Sequence, residues 1–154
     1  MVKEEFQIIS HLRNNARTSL LDVSKQLGIP SSTVHQKVKY FEFGIIKKHT
    51  TLVNFTQLGF MTHCFMVIGI KKEYREALAK YLLQDKNTNS VFRIDSQQDF
   101  LVECVFRNVG EQKDFTNVLH QNFGANIQAI TVLDSLKQED FLTDLSKFPK
   151  HEFG

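Results

Sequence analysis

The sequence predicts an α+β fold in two parts, three short helices with a hairpin wing followed by a βαββαβ unit. Two observations carry this expectation. Over residues 3–43 apolar side chains recur at helical spacing, interrupted by the turn residues Asn14-Asn15, Gly28-Ile29-Pro30 and Gly44. From residue 61 onward, apolar runs of strand length alternate with stretches of helical period, in the order of two split βαβ units.

In the first helix, residues 3–14, Phe6, Ile9 and Leu12 form an apolar stripe between charged and polar residues. The second, residues 19–27, has Ser19 as its N-cap, Leu20, Val23 and Leu27 as its stripe, and Gly28 as its stop. A third helix follows Pro30 over residues 31–43, with Val34, Val38 and Phe41 on one face and Gly44 closing it. Residues 45–55 read as a β-hairpin wing, with Lys47, Lys48 and His49 near the tip and Leu52, Val53 and Phe55 on the return. Beyond a hinge at 56–60 come a strand (61–71), a helix (73–83), strands at 90–95 and 99–107, a helix (111–123) and a strand (127–136). This is the ferredoxin-like arrangement, in which both helices cover one face of a four-stranded antiparallel sheet. The first strand carries few charges on either side, so its second face is expected to be buried by the sheet of another copy. The boundaries are therefore 1–55 for a winged helix-turn-helix, 56–60 for a hinge and 61–137 for a βαββαβ dimerisation domain. A part-helical tail, 138–154, follows, with Phe141, Leu142, Leu145 and Phe148 at roughly helical spacing.

Composition narrows the function. With 154 residues, 42% of them hydrophobic, the chain can bury a core. It holds no run of about 18 apolar residues, and acids stand near its start where a signal peptide would be basic, so a cytoplasmic protein without a membrane span is expected. Cys64 and Cys104 lie in strand-like apolar runs and read as small buried hydrophobes. The six histidines, His11, His35, His49, His63, His120 and His151, are scattered without metal-ligand spacing. No phosphate-binding glycine loop, nucleophile elbow or carboxylate pair stands out, so neither an enzyme nor a metal or cofactor site is expected. The net charge is +2, but it is uneven. Up to Thr50 eight basic residues face four acidic ones, leaving +4 there and −2 for the rest. A basic front on an acidic remainder suggests that one end meets a polyanion.

The third helix supplies the chemistry for that contact. Projected at 100° per residue, it turns Val34, Val38 and Phe41 inward and Ser32, Gln36, Lys39, Tyr40 and Phe43 outward. A helix in the major groove reads base edges through its N-terminal residues, so Ser32, Thr33, His35 and Gln36 are the base-reading candidates, Gln36 suiting adenine. Arg13, Arg17, Lys37, Lys39, Tyr40, Lys47 and Lys48 are cast as DNA-backbone contacts, which set affinity without reading sequence.

Three strings carry a family resemblance: Asn15-Ala16-Arg17-Thr18-Ser19-Leu20, Leu27-Gly28-Ile29-Pro30-Ser31-Ser32-Thr33-Val34 and Glu42-Phe43-Gly44-Ile45-Ile46. Together they resemble the Lrp/AsnC family of prokaryotic transcription regulators, over nearly the whole chain. The resemblance implies homodimers built through the C-terminal sheets, tetramers or octamers of these, binding to double-stranded promoter DNA, and amino-acid effectors at subunit interfaces. It implies an effector site at Ser96, Gln97, Gln98 and Asp99 with Ile130, Thr131 and Val132. Here the chain departs from the family pattern, with Ser96 where a glycine is common and Gln98 where an aromatic is common, a change that reshapes the pocket. Gln36, Lys37 and Tyr40 stand where arginines are common, which points to a different operator with fewer bidentate guanine contacts. Two alternatives accompany the regulator reading. One is an architectural DNA-binding protein without effector control. The other is a tetrapyrrole decarboxylase-like enzyme, for which His63, Arg93, Arg107 and His120 are the raw material.

Overall fold

The computed structural model describes residues 3–94 and 97–149. The chain divides into two compact units, residues 1–52 with 136–154, and residues 53–135. The segment after residue 135 thus belongs with the N-terminal helices.

In the first unit, α1 (Lys3–Asn14), α2 (Leu20–Leu27) and α3 (Ser31–Glu42) close around Ile8, Ile9, Val23, Val34, Val38 and Phe41. Leu12, Leu20, Leu27, Ile29 and Ile46 pack against that core, so the stripes read from the sequence are the faces that meet. Two residues set the ends of α2. Ser19 Oγ accepts the Asp22 amide and donates to its carboxylate, closing the start of α2. Gly28 ends it at φ 66°, a left-handed conformation that costs a side-chain-bearing residue energy.

One expectation for this unit needs correction, and a second is met only by a short turn. Residues 46–54 form no strand, so the expected hairpin is an irregular segment. The tip Lys47-Lys48-His49-Thr50-Thr51 has no glycine, asparagine or aspartate to supply the positive φ angles of a two-residue hairpin turn. The segment is instead drawn back to α3, with the Ile45 and Ile46 amides both donating to the Phe41 carbonyl at 2.8 Å and His49 Nε2 lying 3.2 Å from the Glu42 carboxylate. Among its described residues the tail, expected to be part-helical, holds one 3-10 turn, Leu145–Lys147. Glu139 and Leu142 adopt φ of 53° and 65°, which a right-handed helix cannot contain. Asp140 and Asp144 satisfy the local donors Thr143 and Ser146 in its place.

The second unit runs β1 (Thr62–Gly69), a 3-10 turn leading into α4 (Arg75–Gln84), β2 (Thr88–Arg93), β3 (Phe100–Phe106), α5 (Val109–Phe123) and β4 (Asn126–Thr131). All neighbours are antiparallel in the order β2-β3-β1-β4. On one face, Cys64, Met66 and Ile68 of β1 and Phe100, Val102, Cys104 and Phe106 of β3 meet Leu78, Ala79 and Leu82 of α4 and Phe115 and Leu119 of α5. The last strand was expected to reach residue 136 but ends at Thr131, with one further ladder bond from the Val132 amide to the His63 carbonyl (2.8 Å). β1 begins at Thr62, so beyond Val132 the edge strand runs out of partner. Cys64 and Cys104 are buried free thiols facing each other across β1 and β3, and burial pushes the Cys64 thiol up to about 11. Among the described residues, no helix is long and apolar enough to cross a membrane.

Candidate nucleic-acid interface and effector turn

The anchoring of α3 determines which of its side chains reach solvent. Val34 and Phe41 are fully buried and Val38 nearly so, which fixes the helix rotation and leaves Ser32, His35, Gln36, Lys39 and Tyr40 exposed, with Thr33 half-buried. The four base-reading candidates all lie in the first turn and a half of the helix. Donors and acceptors there stand on a rigid cylinder, the geometry a major groove admits. Tyr40 is 68% exposed and meets Phe41 edge-on.

The cations separate into two groups. Arg17, Lys39, Lys47 and Lys48 are exposed and, among the described residues, make no side-chain ion pair. Arg13 and Lys37 are already engaged. Lys37 Nζ lies 3.1 Å from the Glu5 carboxylate, tying α3 to α1. The Arg13 guanidinium is held by the tail, with Nε on the Phe141 carbonyl (3.0 Å), Nη1 on the Glu139 carboxylate (2.9 Å) and Nη2 on the Glu139 carbonyl (2.8 Å). Ser10 Oγ and Asn14 Nδ2 both donate to the Thr143 carbonyl. One polar row of α1 thus reads the backbone of the tail. Spacing along the chain carried no signal for either arrangement, because the partners are more than a hundred residues apart in the tail latch and 32 in the Lys37 pair.

At the turn between β2 and β3, Ser96 lies outside the described residues. Gln97 is exposed and Gln98 half-buried, its side chain lying where a Cβ on Gly69 would stand. Asp99 is occupied by the fold itself. One carboxylate oxygen accepts the Ile70 amide (2.8 Å), the other meets Arg75 at the start of α4, and its amide donates to the Ile68 carbonyl (2.8 Å). It thereby clamps the end of β1, the start of β3 and α4 together. Ile130 and Thr131 are exposed on the edge strand β4, and Val132 is half-buried.

The sheet face away from α4 and α5 carries Phe65, Val67, Leu101, Val105, Phe92 and Ile130, with Glu103 among them. Glu103 is only 7% exposed. Ser90 Oγ (2.6 Å) and Asn89 Nδ2 (2.7 Å) donate to one of its oxygens, and His63 Nε2 stands 2.9 Å from the other. Burial works against this charge, but Ser90, Asn89 and His63 outweigh it and hold the carboxyl below its ordinary value. The sequence reading passed over this cluster, although an acid inside an otherwise apolar strand is a visible signal. The other groups weighed for enzyme chemistry lie apart. Arg93 pairs with Glu76 of α4, Arg107 covers the Phe60 ring at 5.0 Å, and His120 stands on α5.

Comparison with known proteins matches residues 5–42 to the family described as winged helix-turn-helix DNA-binding. The HTH-type transcriptional regulator FL11 of Pyrococcus abyssi is 28% identical over 114 residues, 73% of this chain and 76% of that protein. B. subtilis LrpC shares the fold with a TM-score of 0.81 at 20% identity, covering 89% of this chain and 97% of that one. The transcriptional regulator NMB0573 of Neisseria meningitidis, solved as an L-Met complex, also superposes with a TM-score of 0.81 at 20% identity, over 90% and 93% of the two chains.

Proposed function

We infer that this chain is a member of the Lrp/AsnC family of transcriptional regulators and acts as a sequence-selective DNA-binding protein. The observation that carries this reading is α3, which turns Ser32, His35 and Gln36 outward from a helix locked by Val34, Val38 and Phe41, in the segment that matches the DNA-binding family. In this reading α3 enters the major groove, Ser32, Thr33, His35 and Gln36 meet base edges, and Arg17, Lys39, Tyr40, Lys47 and Lys48 hold the backbone. Arg13 and Lys37 are reassigned to internal contacts, because three of the five guanidinium N–H donors already hold the tail and the Lys37 ammonium already pairs with Glu5. The irregular 46–54 segment takes the place of a wing, presenting Lys47 and Lys48.

The second unit supplies the dimer. Its outer sheet face is largely apolar, with Phe92 51% and Ile130 48% exposed, and a second copy of the same face buries both. An amino acid is the effector class proposed, by analogy with NMB0573 and its L-Met. Its site at Gln97, Gln98, Ile130, Thr131 and Val132 has to work without a free Asp99, which favours recognition by backbone groups and gives weight to an architectural protein without effector control. A non-enzymatic role in the cytoplasm, where DNA is met, completes the proposal. His63, Arg93, Arg107 and His120 have separate partners or faces rather than one shared site.

The test is a gel-shift titration with upstream DNA fragments at two salt concentrations, with and without a pool of amino acids. Selective, amino-acid-sensitive shifts support the regulator reading in full. Selective shifts indifferent to amino acids leave DNA recognition and remove the effector, and binding that salt abolishes equally on every fragment identifies the architectural role.

A further inference from the structure

The outer sheet face has a charge at its centre, and that charge decides when two faces can meet. Glu103 enters any face-to-face dimer already bound by Ser90, Asn89 and His63, so it asks no cation of its partner. The cluster's net charge depends on His63. With its imidazole neutral, each protomer carries one uncompensated negative charge into the interface; protonated, His63 and Glu103 cancel. Removing water from a neutral ion pair costs far less than removing it from a lone carboxylate, and two lone carboxylates on paired faces also repel. Around His63 the charges are few. β3 presents Glu103 and, at its far end, Arg107, which is drawn over the Phe60 ring. β2 presents Ser90 and Phe92, and β4 presents Gln128 and Ile130, none of which titrates. His63 itself keeps about a quarter of its side chain exposed (28%), so solvent reaches it until a partner covers it.

We propose that the outer sheet face associates with a second copy of this chain in a proton-linked manner, His63 taking up a proton as the faces close so that each His63–Glu103 pair is neutral in the dimer. The proposal rests on the sheet-to-sheet dimer above and adds its regulation. Association tightens as pH falls from about 8 to about 6, with up to two protons bound per dimer.

Sedimentation equilibrium of the full chain across pH 6 to 8, with the variants His63→Gln and Glu103→Gln, tests it. The dimer dissociation constant of the wild type is expected to fall by at least about tenfold from pH 8 to pH 6. His63→Gln is expected to lose this dependence. Glu103→Gln is expected to reverse it, because a protonated His63 beside a neutral amide is the unpaired charge. Retention of the wild-type pH dependence in His63→Gln overturns the proposal while leaving the dimer intact. A wild type that stays monomeric at every pH overturns the dimer reading itself. If Glu103→Gln does not fold, the His63→Gln profile alone decides.

Discussion

Gln36 and Lys48 stand on the same unit, yet their expected contributions to DNA binding differ in kind. Gln36 presents a paired donor and acceptor from a fixed helix, so Gln36→Ala is expected to flatten base preference at one operator position, at about 1–3 kcal/mol of lost discrimination. Lys48 is a mobile point charge, and Lys48→Ala is expected to weaken all DNA alike and to lower the slope of log affinity against log salt by about one. Binding-site selection with each variant distinguishes these outcomes, and equal weakening on every sequence by both would remove Gln36 from specificity. Glu103 makes a separate prediction about stability. Its carboxyl is held below the ordinary value in the folded chain, so its contribution is fully present above the unfolded-state pKa and is lost as pH falls through the lowered folded value. Urea unfolding from pH 6 to pH 3 is expected to show a steeper acid loss in the wild type than in Glu103→Gln.

The turn between α2 and α3 depends on a backbone angle, whereas the tail depends on side-chain hydrogen bonds. Gly28 has open space where a Cβ would stand, so Gly28→Ala meets no clash and pays only for its φ of 66°, about 1 kcal/mol by denaturant midpoint. The same turn orients α3, so a larger loss accompanied by lost DNA selectivity would mean that the turn also positions the reading face. The tail is held to α1 chiefly by Arg13, Ser10 and Asn14. Arg13→Ala is expected to cost about 1 kcal/mol of stability and to open the segment after residue 135 to proteolysis, with the salt slope of DNA binding unchanged. A slope lowered by about one would return Arg13 to the phosphate contacts.

At the scale of the whole molecule, the proposed two-fold dimer presents two α3 helices, and its operator must match them. For adjacent major grooves on one face of the duplex the half-sites stand about 34–36 Å apart or a multiple of it. Inserting about half a helical turn of DNA between half-sites is expected to abolish tight binding, and inserting a full turn to restore much of it; indifference to both would show that each unit binds alone. The order of elements was legible in the sequence because helices and strands impose their periods on the chain. Asn14-Asn15, Ser19, Gly28, Pro30 and Gly44 mark breaks in that periodicity, and α1 to α3 begin and end within a residue of the bounds read from them. The α3 face was legible for the same reason, since burial of Val34, Val38 and Phe41 follows from a spacing of 3.6. Periodicity says nothing about which distant residue a side chain meets. The engagement of Arg13 by the tail, of Lys37 by Glu5, of Asp99 by Ile70 and Arg75, and of Glu103 by His63, Asn89 and Ser90 was decided only in the tertiary structure. The missing hairpin and the short last strand belong there too, because a strand exists only where another offers its backbone, and neither residues 46–54 nor residues 133–136 find one.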